Sequence, residues 1–383
     1  KNEEISNLVN ILGLKYNQVY DEKNIKELRY GHLMIMADQD HDGSHIKGLI
    51  INFLHHFWPS LLDVPGFLTQ FITPIIKASK GKQTKTFFTL PEYNSWKEST
   101  GNDAKGWKIK YYKGLGTSTS AEAKEYFSQI ETHEIQFNTI SSDVVDVDSD
   151  GEMDLDSAVP DNASSGNDLI EMVFSKNKVE ERKTWLNNIK PDTYLDYSEA
   201  PVGGRSYSTF VDSEFIVFSQ ADNIRSIPHI LDGFKPSQRK VLFGCFLRNL
   251  KSEMKVAQLC GYVGEKSAYH HGEASLQGTI VNMAQDFVGS NNINLLTPSG
   301  QFGTRRMGGK DNASARYIFT KLEQITRMIF HPDDDELLNY LNDDGQSIEP
   351  VSYMPVIPMI LVNGVSTFSL YSVILLFIAH KLC

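Results

Sequence analysis

Three carboxylates stand on alternate positions in Asp38-Gln-Asp40-His-Asp42-Gly43, directly after a short apolar run at residues 32–37. Such a run has the length of a buried strand. In extended backbone the three side chains point to alternate faces, and a turn at Gly43 can gather them. Gathered carboxylates repel unless a hard cation neutralises them, and Mg²⁺ takes oxygen ligands. The same spacing opens an EF-hand calcium loop, but that loop needs a glutamate at its twelfth position, where this chain has Leu49. Asp146-Val-Asp148-Ser-Asp150-Gly151 fails likewise, with Ser157 at that place. The bland alternative for 38–42 is a polar loop ending in a helix cap. The metal reading is preferred to it.

The elements around this cluster read as an α/β layer. After Gly43, Ile46, Leu49, Ile50, Phe53 and Leu54 recur at helical steps. Residues 67–73 and 86–90 read as strands, and strand, loop, helix, strand implies a layered α/β unit. From residue 215 onward the pattern turns mainly helical, with segments around 239–247 and 272–287. Between them, 143–168 is acidic, carries no apolar period and reads as a disordered insertion. The chain has 383 residues, which implies two or three domains. Its 40% hydrophobic and 22% charged residues exclude a wholly disordered or fibrous chain. The three cysteines, Cys245, Cys260 and Cys383, form no disulfide framework and no zinc spacing, so a reducing compartment is expected. A net charge of −11 argues against nucleic acid only as an average. The acidic insertion absorbs much of it, leaving basic clusters at Arg182-Lys183, Arg239-Lys240, Arg305-Arg306 and Lys310. The N-terminus has neither an initiator Met nor a signal peptide, which reads as a fragment. The continuous apolar core of the tail from Val365 is well below the roughly 20 residues a membrane span needs, so a buried or misfolding segment is preferred to a weak tail anchor and no membrane partner is expected.

Taken in order, four stretches carry a resemblance. Asp38 to Phe53 (Asp-Gln-Asp-His-Asp-Gly-Ser-His-Ile-Lys-Gly-Leu-Ile-Ile-Asn-Phe) is followed by Lys110-Tyr-Tyr-Lys-Gly-Leu-Gly-Thr-Ser-Thr119. Then come Asp232-Gly-Phe-Lys-Pro-Ser-Gln-Arg-Lys-Val-Leu-Phe243 and Ala268-Tyr-His-His-Gly-Glu273. The last leads on to Gly303-Thr-Arg-Arg-Met-Gly-Gly-Lys-Asp-Asn-Ala-Ser-Ala-Arg-Tyr-Ile-Phe-Thr320. Together these resemble eukaryotic type II DNA topoisomerases, over residues 1–364 apart from the acidic insertion and a stretch after Ile189. The resemblance implies the C-terminal portion of a Toprim α/β fold in 1–142, the insertion in 143–168, a winged-helix DNA-cleavage domain in 169–350 and the start of a tower region in 351–383. It implies Tyr317 as the nucleophile of a 5′-phosphotyrosyl link, Arg316 as stabiliser of the transition state, and Asp38, Asp40 and Asp42 as Mg²⁺ ligands. Arg182, Lys183, Lys235, Tyr269 and Lys113 would contact double-stranded DNA, with Arg239, His270 and His271 near the scissile phosphate. The full-length enzymes are ATP-driven nuclear homodimers.

The chemistry suits these residue types. A phenol has a pKa near 10 and is a weak nucleophile at neutral pH, so it needs a base or neighbouring cations. Singly, each residue has a plainer role: Tyr317 beside Ile318 and Phe319 as a core tyrosine, His270-His271 as a cap, Arg239-Lys240 as a solvated helix face. Only joint order and spacing lift the functional reading above these. The sequence also departs from the family. The family's glutamate-containing Toprim motif would lie upstream of Lys1, and the family's Ala-Glu-Gly-Ile after Asn363-Gly364 is replaced by Val365-Ser-Thr-Phe-Ser-Leu370, which resembles a translated intron or frameshift. The expectation is therefore a partial cleavage–religation core, with a catalytically inactive DNA-binding fragment as the alternative. Bacterial gyrase is a third reading; the Lys110–Thr119 stretch favours the eukaryotic type.

Overall fold

A computed structural model describes residues 2–100, 104–112, 114–138, 166–189, 204–343 and 345–364. Lys113, most of the acidic insertion, the stretch at 190–203 and the tail from 365 lie outside the described residues. The chain forms two compact units, Lys1–Ala221 and Asp222–Cys383. The described residues 166–189 and 204–221 thus fall within the first unit. Within the insertion itself, Gly166–Asp168 already form the first turn of a helix, Gly166–Phe174, because Ile170, Met172 and Val173 have an apolar face to bury. No described helix is long and apolar enough to cross a membrane.

The first unit is built on a four-stranded mixed sheet of β1 (Leu33–Met36), β2 (Leu68–Phe71), β6 (Glu134–Asn138) and β7 (Arg205–Ser206), in that spatial order. β1 runs parallel to β2, β6 antiparallel to β2, and β7 parallel to β6. All four residues of the central β2 are buried. β1 is only half-buried, because it lies at the sheet edge, and Met36 is exposed. A second, antiparallel sheet sets β3 (Ile76–Lys80) between β4 (Gln83–Phe87) and β5 (Lys108–Tyr111). Ile76, Ala78, Phe87 and Tyr93 form its small core.

The helix His41–Phe57 follows β1. Asp40 starts it: its backbone is extended and its Oδ1 accepts the amide of Gly43 at 2.7 Å. Gly43 is required there, since a Cβ would fall 1.9 Å from the Asp38 carbonyl oxygen. The helix turns a different face inward than its apolar spacing suggests. Ser44, Lys47, Gly48, Ile51 and Leu54 are buried, whereas Ile46 and Leu49 are exposed. Two contacts cause this rotation. Phe215 packs so close to Gly48 that a Cβ would meet its ring at 2.3 Å. The Lys47 ammonium finds Glu214, and Gln70 Oε1 at 3.1 Å, inside the unit. Arg205 completes that group, donating to Glu214 Oε2 at 2.7 Å.

The second unit wraps the helices Pro236–Leu247, Val256–Lys266 and Glu273–Ala284 around one apolar core. The last of these stops before Phe287, three residues short of the expected span. A two-stranded pairing of β8 (Met254–Lys255) with β9 (Phe319–Thr320) and a hairpin of β10 (Tyr340–Asp343) and β11 (Gln346–Pro350) complete it. This unit is thus mainly helical with short β pairings.

Candidate active site

Tyr317 ends a tight turn in which its amide donates to the Ser314 carbonyl at 2.9 Å. Ala315 and Ile318 on either side are buried in the core, and their carbonyls accept the amides of Ala257 and Val256 at 3.0 Å. Two anchored neighbours leave Arg316 and Tyr317 facing out, and Tyr317 is 67% exposed. Arg316 lies over the tyrosine ring, its guanidinium carbon 5.5 Å from the centroid. The turn therefore presents a phenol and a guanidinium side by side to solvent, on backbone fixed by the core. A core tyrosine packed behind Phe319 is not what the structure shows.

The loop before this turn is braced from inside. Asp311 accepts the Thr304 amide and hydroxyl, each at 2.8 Å. The Thr304 amide and hydroxyl bonds hold the Asp311 carboxyl below its ordinary range. Gln285 is buried and donates to the Phe302 carbonyl at 2.8 Å. Gly309 is packed so closely that a Cβ would sit 2.3 Å from the Gln285 amide nitrogen. The loop's cations, Arg305, Arg306 and Lys310, are exposed.

The other expected residues divide. His270 pairs through Nε2 with Asp343 Oδ2 of β10 at 3.0 Å, and His271 meets the Tyr269 ring edge-on at 5.4 Å. Their contacts run to those partners and not to Tyr317. Lys235 precedes the Pro236 helix and is half-buried, and burial pulls its pKa down. It lines a cleft of about 300 Å³ with Gln238, Asn282, Asn291 and Asn363. Lys183 is exposed and paired with Glu180 at 2.8 Å. Two arginines expected at DNA point inward instead. Arg239 is buried and holds Asp232 with two bonds of 2.8 and 3.1 Å. Arg182 is buried and donates to the Met172 carbonyl at 2.8 Å and to that of Ser175. Their guanidinium groups satisfy internal acceptors, because a buried charge must be paired.

Two of the three aspartates have backbone partners. Asp40 caps the helix, and Asp38 Oδ1 accepts the Leu115 amide at 2.7 Å. A Cβ at Gly114 would stand 3.1 Å from both Asp38 carboxylate oxygens, so the loop 114–119 lies directly on that group. Among the described residues no group of three or more His, Cys, Asp or Glu is placed to hold a metal. Each of the bonds to Asp38 and Asp40 uses one carboxylate oxygen, so neither excludes Asp38 or Asp40 as a ligand to Mg²⁺. Replacing Asp40 by Ala should cost about 1 kcal/mol, as loss of a cap does, and denaturant unfolding measures it.

Sequence reasoning passed over three supports. Asp232, fully buried, accepts the amides of Phe234 and Tyr353 at 3.0 and 2.9 Å besides holding Arg239. Gln285 and Asp311 brace the loop before Tyr317. None carries a local signal, apart from the opposite charges of Asp232 and Arg239. Glu122 likewise ties the 112–119 loop. Burial pushes its carboxyl up, but bonds from Lys110, Thr119 and Tyr112 outweigh this and hold it at about 2.

Known proteins share much of this sequence. Residues 225–368 match the family model of the A subunit of DNA gyrase/topoisomerase IV. Residues 71–149 and 155–223 match the C-terminal associated domain of TOPRIM. The chain is 57% identical over 365 residues to DNA topoisomerase 2 of Arabidopsis thaliana, covering 95% of this chain and 23% of the relative. It is 53% identical over 374 residues to human DNA topoisomerase 2-alpha, again over 95% of this chain and 23% of the relative. The chain thus spans about a quarter of the length of the curated relatives it matches. A crystal structure of the Plasmodium falciparum topoisomerase II DNA-binding, cleavage and re-ligation domain superposes with a TM-score of 0.73 at 54% identity. That match covers 96% of this chain and 46% of the other.

Proposed function

The chain belongs to the eukaryotic DNA topoisomerase 2 family, and we propose that it is the part of such an enzyme that grips duplex DNA and breaks and rejoins its backbone. The observation that carries this reading is the outward-facing pair Arg316–Tyr317 on a turn clamped by the buried Ala315 and Ile318. We assign the unit Lys1–Ala221 to the C-terminal portion of a Toprim fold and the unit from Asp222 to a winged-helix cleavage domain. To the full-length protein we attribute the family's use of ATP and a divalent metal, homodimeric assembly and a nuclear location.

In this reading the Tyr317 phenol oxygen attacks a backbone phosphorus. A bond forms between that oxygen and phosphorus, and the bond from phosphorus to the 3′-oxygen breaks. The phenol proton ends on the released 3′-hydroxyl, and the 5′-phosphate stays on the tyrosine. The product is again a phosphodiester, so the reverse attack reseals the strand without new fuel. Arg316 supplies positive charge beside the phenol, where negative charge gathers on the phosphate oxygens in the transition state. Arg305, Arg306 and Lys310 add positive potential that draws the duplex to the same surface.

The test uses the full-length protein under conditions in which it relaxes plasmid DNA. Denaturant trapping followed by proteolysis should leave a peptide containing Tyr317 on the DNA 5′ ends, identified by mass spectrometry. A trapped peptide from elsewhere in the chain overturns the assignment.

A further inference from the structure

One surface of the first unit reverses the chain's overall charge. Between residues 75 and 112 there are eight lysines against three acidic residues, in a protein whose net charge is −11. The fold concentrates them. The β3–β4 hairpin turns at Gly81, with Lys80 and Lys82 flanking it, and the chain turns again at Gly106, just before β5. These two turns meet: a Cβ at Gly106 would lie 3.9 Å from the Lys80 ammonium. Register then adds Lys108, which pairs with Ser79 across the sheet. Lys80, Lys82, Lys105 and Lys108 thus crowd one end of the three-stranded sheet, all exposed.

Among the described residues these four lysines have no acidic partner, whereas their neighbours do. Lys77 is paired with Glu125 at 3.0 Å and Lys110 with Glu122 at 2.9 Å. Lys80, Lys82, Lys105 and Lys108 have no carboxylate within 4 Å among the described residues. Like charges held this close repel, and packing does not require them, since the small core of this sheet is apolar. Aromatic rings lie among them: the Lys80 ammonium is 6.0 Å from the Trp107 ring and that of Lys85 is 5.7 Å from Trp96. Four ammonium groups at one sheet end, without an acidic partner among the described residues and with hydroxyls of Ser79 and Thr84 on adjacent positions, fit a repeating anion better than a point ligand. Phosphate contacts of this kind set affinity and register without reading sequence.

We propose that this lysine-rich end of the β3–β5 sheet is a second contact surface for the phosphate backbone of duplex DNA, distinct from the turn that carries Tyr317. The proposal rests on DNA being the substrate, and its test separates the two. In the full-length protein, Lys82, Lys105 and Lys108 are replaced together by Ala. All are exposed, and unchanged thermal unfolding confirms that the fold is kept. Binding to a labelled duplex is measured from low to high salt. The slope of log K against log salt should flatten by roughly 2 to 3, at about 0.9 for each lost phosphate contact. At saturating DNA the trapped Tyr317 adduct should form at the wild-type level. An unchanged slope overturns the second surface while leaving Tyr317 untouched. A slope change that disappears once residues 143–164 are deleted from both proteins also overturns it, because the lysines would then be answering the chain's own acidic stretch.

Discussion

Tyr317→Phe in the full-length protein should remove the denaturant-stable DNA adduct completely and leave duplex affinity within about twofold. The substitution deletes one oxygen and keeps the ring. That oxygen is on a side chain 67% exposed, so packing loses little, and surface changes of this sort stay within about 0.5 kcal/mol of the parent. Affinity is preserved because backbone binding comes from cations and counterion release, and Phe keeps the face over which Arg316 rests. Arg316→Ala should act differently. It leaves the nucleophile in place but withdraws one donor from the developing charge, slowing adduct formation by roughly 10²–10³. The pair of results distinguishes nucleophile from stabiliser. Persistence of the adduct in the Tyr317→Phe protein would move the nucleophile elsewhere.

The second large effect should appear in stability. Glu214 is buried and answers two buried cations, Lys47 and Arg205, while also accepting the Ser44 hydroxyl at 2.8 Å. Glu214→Ala removes the buried carboxylate that Lys47 and Arg205 share, and breaking such a buried pair typically costs about 3–5 kcal/mol. Glu180→Ala removes a carboxylate from an exposed pair with Lys183 and should cost at most about 0.5 kcal/mol. Denaturant unfolding of the two variants compares a buried with a solvated ion pair in one protein. The pH dependence follows from the direction of the shift. Burial pushes the Glu214 carboxyl up, but Lys47 and Arg205 outweigh burial and hold its pKa below the ordinary value. A depressed folded pKa means stability that is complete above the unfolded pKa, near 4.3, and is lost as pH falls through the folded value. The gap between wild type and Glu214→Ala should therefore be full at neutral pH and narrow on acidification below about pH 4. A gap that stays constant down to pH 2 would mean that Glu214 is not ionised in the fold.

The amino-acid sequence by itself determined the family, through ordered motifs in which each residue type is locally constrained. Gly43 is one such position, because the turn from strand to helix leaves no room for a Cβ. It also determined the pairing of Arg316 with Tyr317, since adjacent residues share a turn whatever surrounds them. Tertiary structure alone decided which way side chains face. The apolar period at 46–54 was legible, yet the helix buries Lys47 and Gly48 instead of Ile46 and Leu49. The partners that favour that rotation, Phe215 and Glu214, come from far along the chain. Arg182 and Arg239 were legible as cations but not as buried ones, because their acceptors are met only on folding. The three aspartates show the same limit. Their spacing announced neighbouring carboxylates, and only folding set the Leu115 amide on Asp38 and the helix start on Asp40. The lysines at the end of the β3–β5 sheet lie up to 28 residues apart in the chain and share one surface only through strand register. Local spacing fixes which groups are available; long-range packing, through burial and pairing of charge, fixes which of them meet.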